Sequence, residues 1–517
     1  RERMSEATNT DHRSISILDW SLSLLIGVGT VGWLLYFYQD FSADNQQFAK
    51  GVCCGFTDAI FDATLKMERG ESIDYSKGYA SYIAALWWRW MDRSPDSLLM
   101  LSQGAHVLTG LLVVVAGALR KKPLVGVLGA VAIWLMPINM YASLRWDVYS
   151  LQGPLIVVGW ICVYWSRGFT SVLPSIGFVG VVWLSAFWSF RETDNLIVLL
   201  THASIAFGFW VSSLWFSQDS ESRSVPRWWS AGIGLLTCGL ILWQIASYWQ
   251  FSSPEGLQYY FREADDPMMA SRVTLTPSLQ WFGYWGHLYW RAFGPVVAGA
   301  ILVSGLWLLL FRKMSFGLLF GILIPYVVLS WISKRNFYYP SALWIILPLI
   351  LGEGLLVVSN PWWRRIIFCT GISICCWNIQ QRLDDVELMG DEQYGGLFQT
   401  SDGNISLEPK PFWGVDDLAD RIASHIQNNG CTTDQIVVLE GNAMIEEVAL
   451  RLGSTHPCIQ FKRQLQNRDA RVLQTVQMWV IDPKNTQIET SWLEQEGFEF
   501  DSTVLMDNRF RLNVWSR

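Results

Sequence analysis

Long stretches almost free of charge decide what this chain can become. Residues 15–38, 98–119, 123–143, 148–165, 170–190, 195–217, 228–249, 288–311, 316–333, 339–359 and 364–379 are apolar runs. Each is near the length of a bilayer-spanning helix, about 20 residues. Short charged connectors separate them. In hydrocarbon every backbone N–H and C=O must be satisfied within the segment, so runs of this length are read as helices. The fold class expected is a polytopic α-helical membrane protein with about eleven transmembrane helices. Charged residues make up 16% of the chain, against about a quarter in soluble domains. The 30 Trp and 27 Phe suit a protein with two membrane interfaces. A net charge of −7 speaks against nucleic acid as a partner. Residues 1–14 are polar, too acidic and too poor in small residues for a cleavable signal, so the run 15–38 is read as a retained span.

The basic connectors orient the spans. Arg120-Lys121-Lys122, Arg167, Arg223 with Arg227, Arg312-Lys313 and Arg364-Arg365 all fall on one side, the cytoplasmic one by the positive-inside rule. The N-terminal tail 1–14 then lies in the cytoplasm. Two large loops, 39–97 and 250–287, lie outside, with the short ones 144–147, 191–194 and 334–338. Residues 75–91 carry an apolar stripe with Trp and Arg at helical spacing. They read as a helix lying flat at the outer interface, with a buried soluble helix as the other reading.

From residue 380 the composition becomes that of a soluble domain. DLADRIASHIQNNG and IEEVALRLG have helical periodicity, QIVVLEG and TVQMWVID read as strands, and FEFDSTVLM with RFRLNVW as a paired terminal unit. Residues 380–517 are expected to form a small extracytoplasmic α/β domain, available to protein partners. Cys431 and Cys458 fall in it and would be free to pair in an oxidising compartment. Cys162, Cys238, Cys369, Cys375 and Cys376 lie in apolar runs and are expected in the core. No cysteine spacing suggests a metal site.

Several polar groups collect where the spans meet the outer water. Asp40 and Asp44 follow the first span, Asp147 sits in SLRWDVYS, and Lys334-Arg335 sit in SKRNFYYP. Lys334 and Arg335 break the positive-inside rule. Each acid alone could be an ordinary solvated helix end. As a set they have a chemistry: a carboxylate takes a proton from an attacking acceptor, and Lys and Arg stabilise the charge developing on a departing phosphate. His106 and His202, inside spans, are expected to be hydrogen-bonded packing residues. Glu353, in a span but far from this set, is expected to be paired structurally.

The chain resembles the GT-C superfamily of integral-membrane glycosyltransferases, most closely the protein O-mannosyltransferase and aminoarabinose-transferase-like group. That group places an acidic pair and then an aromatic residue after its first span, matched by Asp44-Asn45-Gln46-Gln47-Phe48. It has an amphipathic helix in the first outer loop, matched by 75–91, and a further acid after the third span, matched by Asp147. A basic-aromatic-Pro segment opens a late span, matched by Ser333-Lys334-Arg335-Asn336-Phe337-Tyr338-Tyr339-Pro340. Asn45 departs from the group's second acid.

The resemblance implies sugar transfer from a polyprenyl-phosphate carrier to a protein, lipid or glycan acceptor outside the membrane, in the periplasm or at the cell exterior. It implies Asp44 as general base or acceptor-orienting carboxylate, with Asp147 supporting it or positioning the acceptor. The departure at Asn45 leaves open a different acceptor, reliance on Asp40, or a fold kept without the reaction. Lys334 and Arg335 would hold the carrier phosphate. Asn45 and Tyr338, within the matched motifs, are candidates for acceptor or sugar contacts; Arg262 and His287 are candidates on another ground, their place in the large outer loop 250–287. A divalent metal is known in some relatives but is not favoured here, since Asn45 replaces one of the carboxylates. Two other classes compete: a non-catalytic scaffold or complex subunit on the same fold, and a transporter or lipid flippase. The second is disfavoured because the charges gather at the outer face rather than at the midplane.

Overall fold

The computed structural model describes residues 17–39, 64, 67, 79–91, 95–143, 151–166, 169, 171–188, 192–216, 232–233, 236, 239, 243, 279–329, 341–383, 415–429, 436–440, 459–461, 476–481, 490–495, 497–505 and 511–516. The apolar runs are helical: α1 (Ile17–Gln39), α3 (Pro95–Leu119), α4 (Pro123–Trp134), α5 (Pro137–Ser143), α6 (Gln152–Ser166), α7 (Val172–Ala186) and α8 (Glu192–Phe216). After them come α9 (Leu279–Phe293), α10 (Pro295–Leu310), α11 (Phe316–Leu329), α12 (Ser341–Gly354) and α13 (Pro361–Leu383). Between α1 and α3 lies α2 (Tyr79–Trp90), within the stretch expected to be amphipathic. The expected span 228–249 lies, apart from five positions, outside the described residues. By length and composition, Ile17–Gln39 and Ser97–Leu119 suffice to cross a membrane; in the other described helices the apolar stretches are shorter, 10–17 residues.

Two expected spans are each broken by proline. The run 123–143 divides at Leu135-Met136, because Pro137 cannot donate the next helical hydrogen bond but suits a first turn. The run 288–311 divides at Gly294, whose φ of +81° is open to glycine, followed by Pro295 at the start of α10. The helix before that break, α9, begins at Leu279, inside the segment read from the sequence as loop 250–287.

Helix α4 is the centre of the bundle. All of its residues, from Pro123 to Trp134, are buried, as expected of a helix that is apolar on every side. It packs against α1, α3, α12 and α13. Small residues make these contacts close. A Cβ on Gly117 would lie 2.5 Å from the Cα of Gly126, and one on Gly371 would lie 2.9 Å from a methyl of Leu128. The outward faces are apolar too: Leu25 on α1 is 71% exposed and Leu310 on α10 is 77% exposed. A surface of that kind suits lipid rather than water. It also corrects the expectation for two cysteines: Cys369 and Cys376 on α13 are exposed, whereas Cys375 is buried. Apolar composition marks a span but does not say which of its faces meets protein.

The C-terminal residues form α14 (Val415–Asn429), α15 (Thr490–Gln495) and a five-stranded sheet of β1 (Ile436–Glu440), β2 (Ile459–Phe461), β3 (Val476–Ile481), β4 (Glu499–Leu505) and β5 (Arg511–Ser516). Its order is β2-β1-β3-β5-β4, parallel from β2 to β3 and antiparallel through β5 and β4. The paired terminal strands are there, with Val504 opposite Leu512. The second helix expected at IEEVALRLG, and Cys431 and Cys458, lie outside the described residues.

Candidate active site

Asp40, Asp44, Asn45, Asp147, Arg262, Lys334, Arg335 and Tyr338 lie outside the described residues, and of His287 only the backbone, within α9, is described. The structure does describe the helix ends from which these segments run. Helix α1 ends at Gln39, next to Asp40. Helix α5 ends at Ser143 and α6 begins at Gln152, either side of Asp147. Helix α11 ends at Leu329 and α12 begins at Ser341, either side of Lys334-Arg335.

Buried polar side chains tie these ends together. The hydroxyl of Tyr38, in the last turn of α1, lies 2.6 Å from Nδ1 of His106 on α3 and 2.9 Å from Oγ of Ser143. Asn139 on α5 donates to the carbonyl of Trp344 on α12 at 3.2 Å. Ser341, at the start of α12, donates to Oε1 of Gln152, at the start of α6, at 3.1 Å. Trp285 of α9 donates to the carbonyl of Leu329 at 2.8 Å. In an apolar interior an unpaired polar atom costs about 1–3 kcal/mol, so these groups settle against one another. The stubs of the segments bearing Asp40, Asp44, Asp147, Lys334 and Arg335 therefore gather at one end of the bundle.

The opposite end is held by charge. Asp19, in the first turn of α1, accepts a hydrogen bond from Nε of Arg365, in the first turn of α13, at 2.7 Å. Arg120, just after α3, makes a two-pronged pair with Glu353 of α12; the Nη2–Oε2 arm measures 3.1 Å. The guanidinium also faces the rings of Tyr164 and Trp160, at 5.0 and 5.8 Å from their centroids. Glu353 thus has the structural partner expected of it. Lys121, Lys122, Arg312 and Lys313 are exposed beside the same end. Within α1, the nineteen residue steps from Asp19 to Tyr38 rise about 28 Å, close to the hydrocarbon thickness of about 30 Å.

His106 and His202 have the partners expected of buried imidazoles. Nδ1 of His106 stands 2.6 Å from the hydroxyl of Tyr38, and Nε2 of His202 stands 3.2 Å from Oγ of Ser185. Sequence reading passed over Tyr38, Asn139, Ser143 and Gln152. A signal was available: all are polar residues at or near the ends of apolar runs that lead to the same side.

No family profile matches the sequence, and no curated protein matches it. Among solved structures, ArnT from Cupriavidus metallidurans bound to undecaprenyl phosphate matches with a TM-score of 0.51 at 9% identity, over 97% of this chain and 97% of that one. The same protein in its apo state matches with a TM-score of 0.51 at 10% identity, over 95% and 98%. The chain is similar in fold to ArnT. The Archaeoglobus fulgidus oligosaccharyltransferase in complex with zinc and sulfate is a more distant likeness, with a TM-score of 0.42 at 12% identity over 83% of this chain and 64% of its own. The likeness to ArnT is in keeping with the resemblance to the aminoarabinose-transferase-like group read from the sequence. The ArnT match extends over nearly the whole of both chains, and so includes the C-terminal part.

Proposed function

We propose that the chain is a membrane glycosyltransferase that moves a sugar from a polyprenyl-phosphate carrier to an acceptor at the outer face. The observation that carries this reading is the tying of Tyr38, Ser143, Gln152 and Ser341 at one end of a GT-C-like bundle. The candidate acids and the candidate base pair lie on segments that leave from these ends. The bound undecaprenyl phosphate of ArnT supports a lipid carrier as donor. The lipid-compatible surface and the crowding of basic residues at the opposite end support a multi-pass protein with its N-terminus in the cytoplasm and residues 380–517 outside.

In the reaction, Asp44 takes the proton from an acceptor hydroxyl or amine as that atom attacks the anomeric carbon. The bond from that carbon to the phosphate oxygen breaks. The lipid phosphate leaves with the electron pair, its charge held by Lys334 and Arg335, and the anomeric centre is inverted. Asp147 orients the acceptor, Asp40 stands in reserve, and Asn45, Tyr338, Arg262 and His287 line the approach. A divalent metal is not favoured: Asn45 stands in place of one of the carboxylates that would hold it, and the base pair meets the charge on the leaving group. Transfer from a radiolabelled polyprenyl-phosphate sugar in proteoliposomes tests the assignment. Asp44→Asn is expected to lower turnover about 10²–10⁴-fold, the worth of a general base. Undiminished transfer rejects it.

Asn45, in place of the group's second acid, favours one other reading, a scaffold that keeps the fold without the reaction. Purification as a stoichiometric complex with a partner, with no transfer by the complex, would select it.

A further inference from the structure

Three buried residues, two of them at the helix ends from which the acid-bearing segments run, do more than pack. Tyr38, His106 and Ser143 are 7%, 6% and 1% exposed, and they come from three different helices, α1, α3 and α5. Their protons can be counted. Ser143 gives its single hydroxyl proton to the carbonyl of Met140, at 2.6 Å. At the 2.9 Å contact with Tyr38 it can therefore only accept, and Tyr38 donates. The Tyr38 oxygen is then left to accept from Nδ1–H of His106, at 2.6 Å. The protons of a neutral imidazole, a phenol and a hydroxyl thus run one way, from His106 through Tyr38 and Ser143 to the backbone of α5. The remaining ring nitrogen meets the Ile133 carbonyl at 3.4 Å. That contact is long for a hydrogen bond, and the same carbonyl already accepts from Asn139 at 3.2 Å.

The place of this relay gives it a purpose. Asp40 follows Tyr38 by two residues, and Asp147 follows Ser143 by four. Even fully extended, such tethers reach only about 7 and 14 Å. A shift between Tyr38 and Ser143 would pass into both acid-bearing segments, and a misplacement of about 1 Å at a reacting centre costs about 100-fold in rate. We infer that the Tyr38–His106–Ser143 relay is a positioning unit that sets the separation of the Asp40/Asp44 and Asp147 segments. This rests on the proposed glycosyltransferase reading for its catalytic consequence, but not for its geometry. Tyr38 and Ser143 touch neither donor nor acceptor in this role. They act through the segments they anchor.

Two measurements test it. In a background with the native cysteines replaced, nitroxide labels are attached at Ser42→Cys and Leu144→Cys, and their distance distribution is read by pulsed electron resonance. Tyr38→Phe, which keeps the ring and removes the hydroxyl, is expected to broaden that distribution, and Ser143→Ala likewise. An unchanged width overturns the inference whether or not the protein is a transferase. In the transfer assay, Tyr38→Phe is expected to lower kcat about 10–100-fold with KM for the lipid donor within about twofold, because the geometry is lost and not the donor site. The double variant should lose little more than either single one, since both break one unit. A change in KM alone, or fully additive losses, overturns the inference. An inactive parent whose labels still respond to Tyr38→Phe sinks the functional reading and leaves the positioning intact.

Discussion

The Arg120–Glu353 pair offers the clearest test of how the bundle is held at its basic end. Both side chains are 12% exposed. They join the C-terminal ends of α3 and α12, both packed on the buried helix α4. Glu353→Gln keeps the shape and one acceptor but leaves the guanidinium without a counter-charge. Removing one partner of a buried pair costs about 3–5 kcal/mol. Here the amide oxygen still accepts one hydrogen bond, and the Tyr164 and Trp160 rings still face the cation, a contact worth about 0.5–2 kcal/mol. The expected loss is therefore at the lower end, about 3 kcal/mol. The double variant Arg120→Met with Glu353→Leu removes both charges and fills similar volume, and should return to within about 1 kcal/mol of the parent. The assay is reversible unfolding in mixed micelles, followed by tryptophan fluorescence. If Glu353→Gln costs less than about 0.5 kcal/mol, as exposed ion pairs do, and the double variant gains nothing over it, then water reaches the pair and the argument for an apolar seam is refuted.

Other outcomes follow from packing and titration. Gly117→Ala places a methyl against the backbone of Gly126, which cannot move aside, and should destabilise by about 1–3 kcal/mol in the same assay; Gly27→Ala, with nothing within 4 Å, should be neutral or stabilising by up to about 1 kcal/mol. Burial lowers the pKa of His425 on α14 below its ordinary value. The unfolded state therefore binds more protons between the two pKa values, and stability of the C-terminal sheet falls as pH drops below about 6.5; His425→Gln should flatten that dependence, as followed by hydrogen exchange of the β1 and β3 amides.

Much of the helical architecture was legible because length and apolarity are read directly from the chain. The breaks were less so. Pro137 and Pro295 were visible as residues, but a proline inside an apolar run either kinks a helix or begins a new one. Pro325 and Pro348 sit within α11 and α12 without ending them. At Gly294 a positive φ decides the matter, and φ is not written in composition. The small-residue seam of Gly117, Gly126 and Gly371 was equally invisible, because a glycine in a span is meaningful only when its neighbour is known. Asp40, Asp44, Asp147, Lys334 and Arg335 stand out in the sequence by charge, and all lie outside the described residues. Tyr38, Ser143, Asn139 and Gln152 do not stand out, because they are uncharged residues whose contacts cross long sequence separations.

The two ends of the bundle are held by different chemistry, and the difference has a physical cause. At the basic end, Asp19–Arg365 and Arg120–Glu353 use full charges beside exposed Lys121, Lys122, Arg312 and Lys313. There a mobile anion meets many competing cations, so neutralised pairs hold the helices without creating a trap. At the other end the joints are neutral: phenol, imidazole, hydroxyl and amide. A neutral joint adds no net field of its own. If Asp44, Lys334 and Arg335 are to sense one another and a phosphate, the scaffold beneath them is best without unpaired charge, since in a low-dielectric setting any such charge would act over several ångströms. On that argument, introducing a charge into the relay should harm transfer more than breaking it. His106→Lys is expected to lower kcat below that of His106→Asn at equal folded yield. Equal rates for the two variants would show that the relay acts through shape alone.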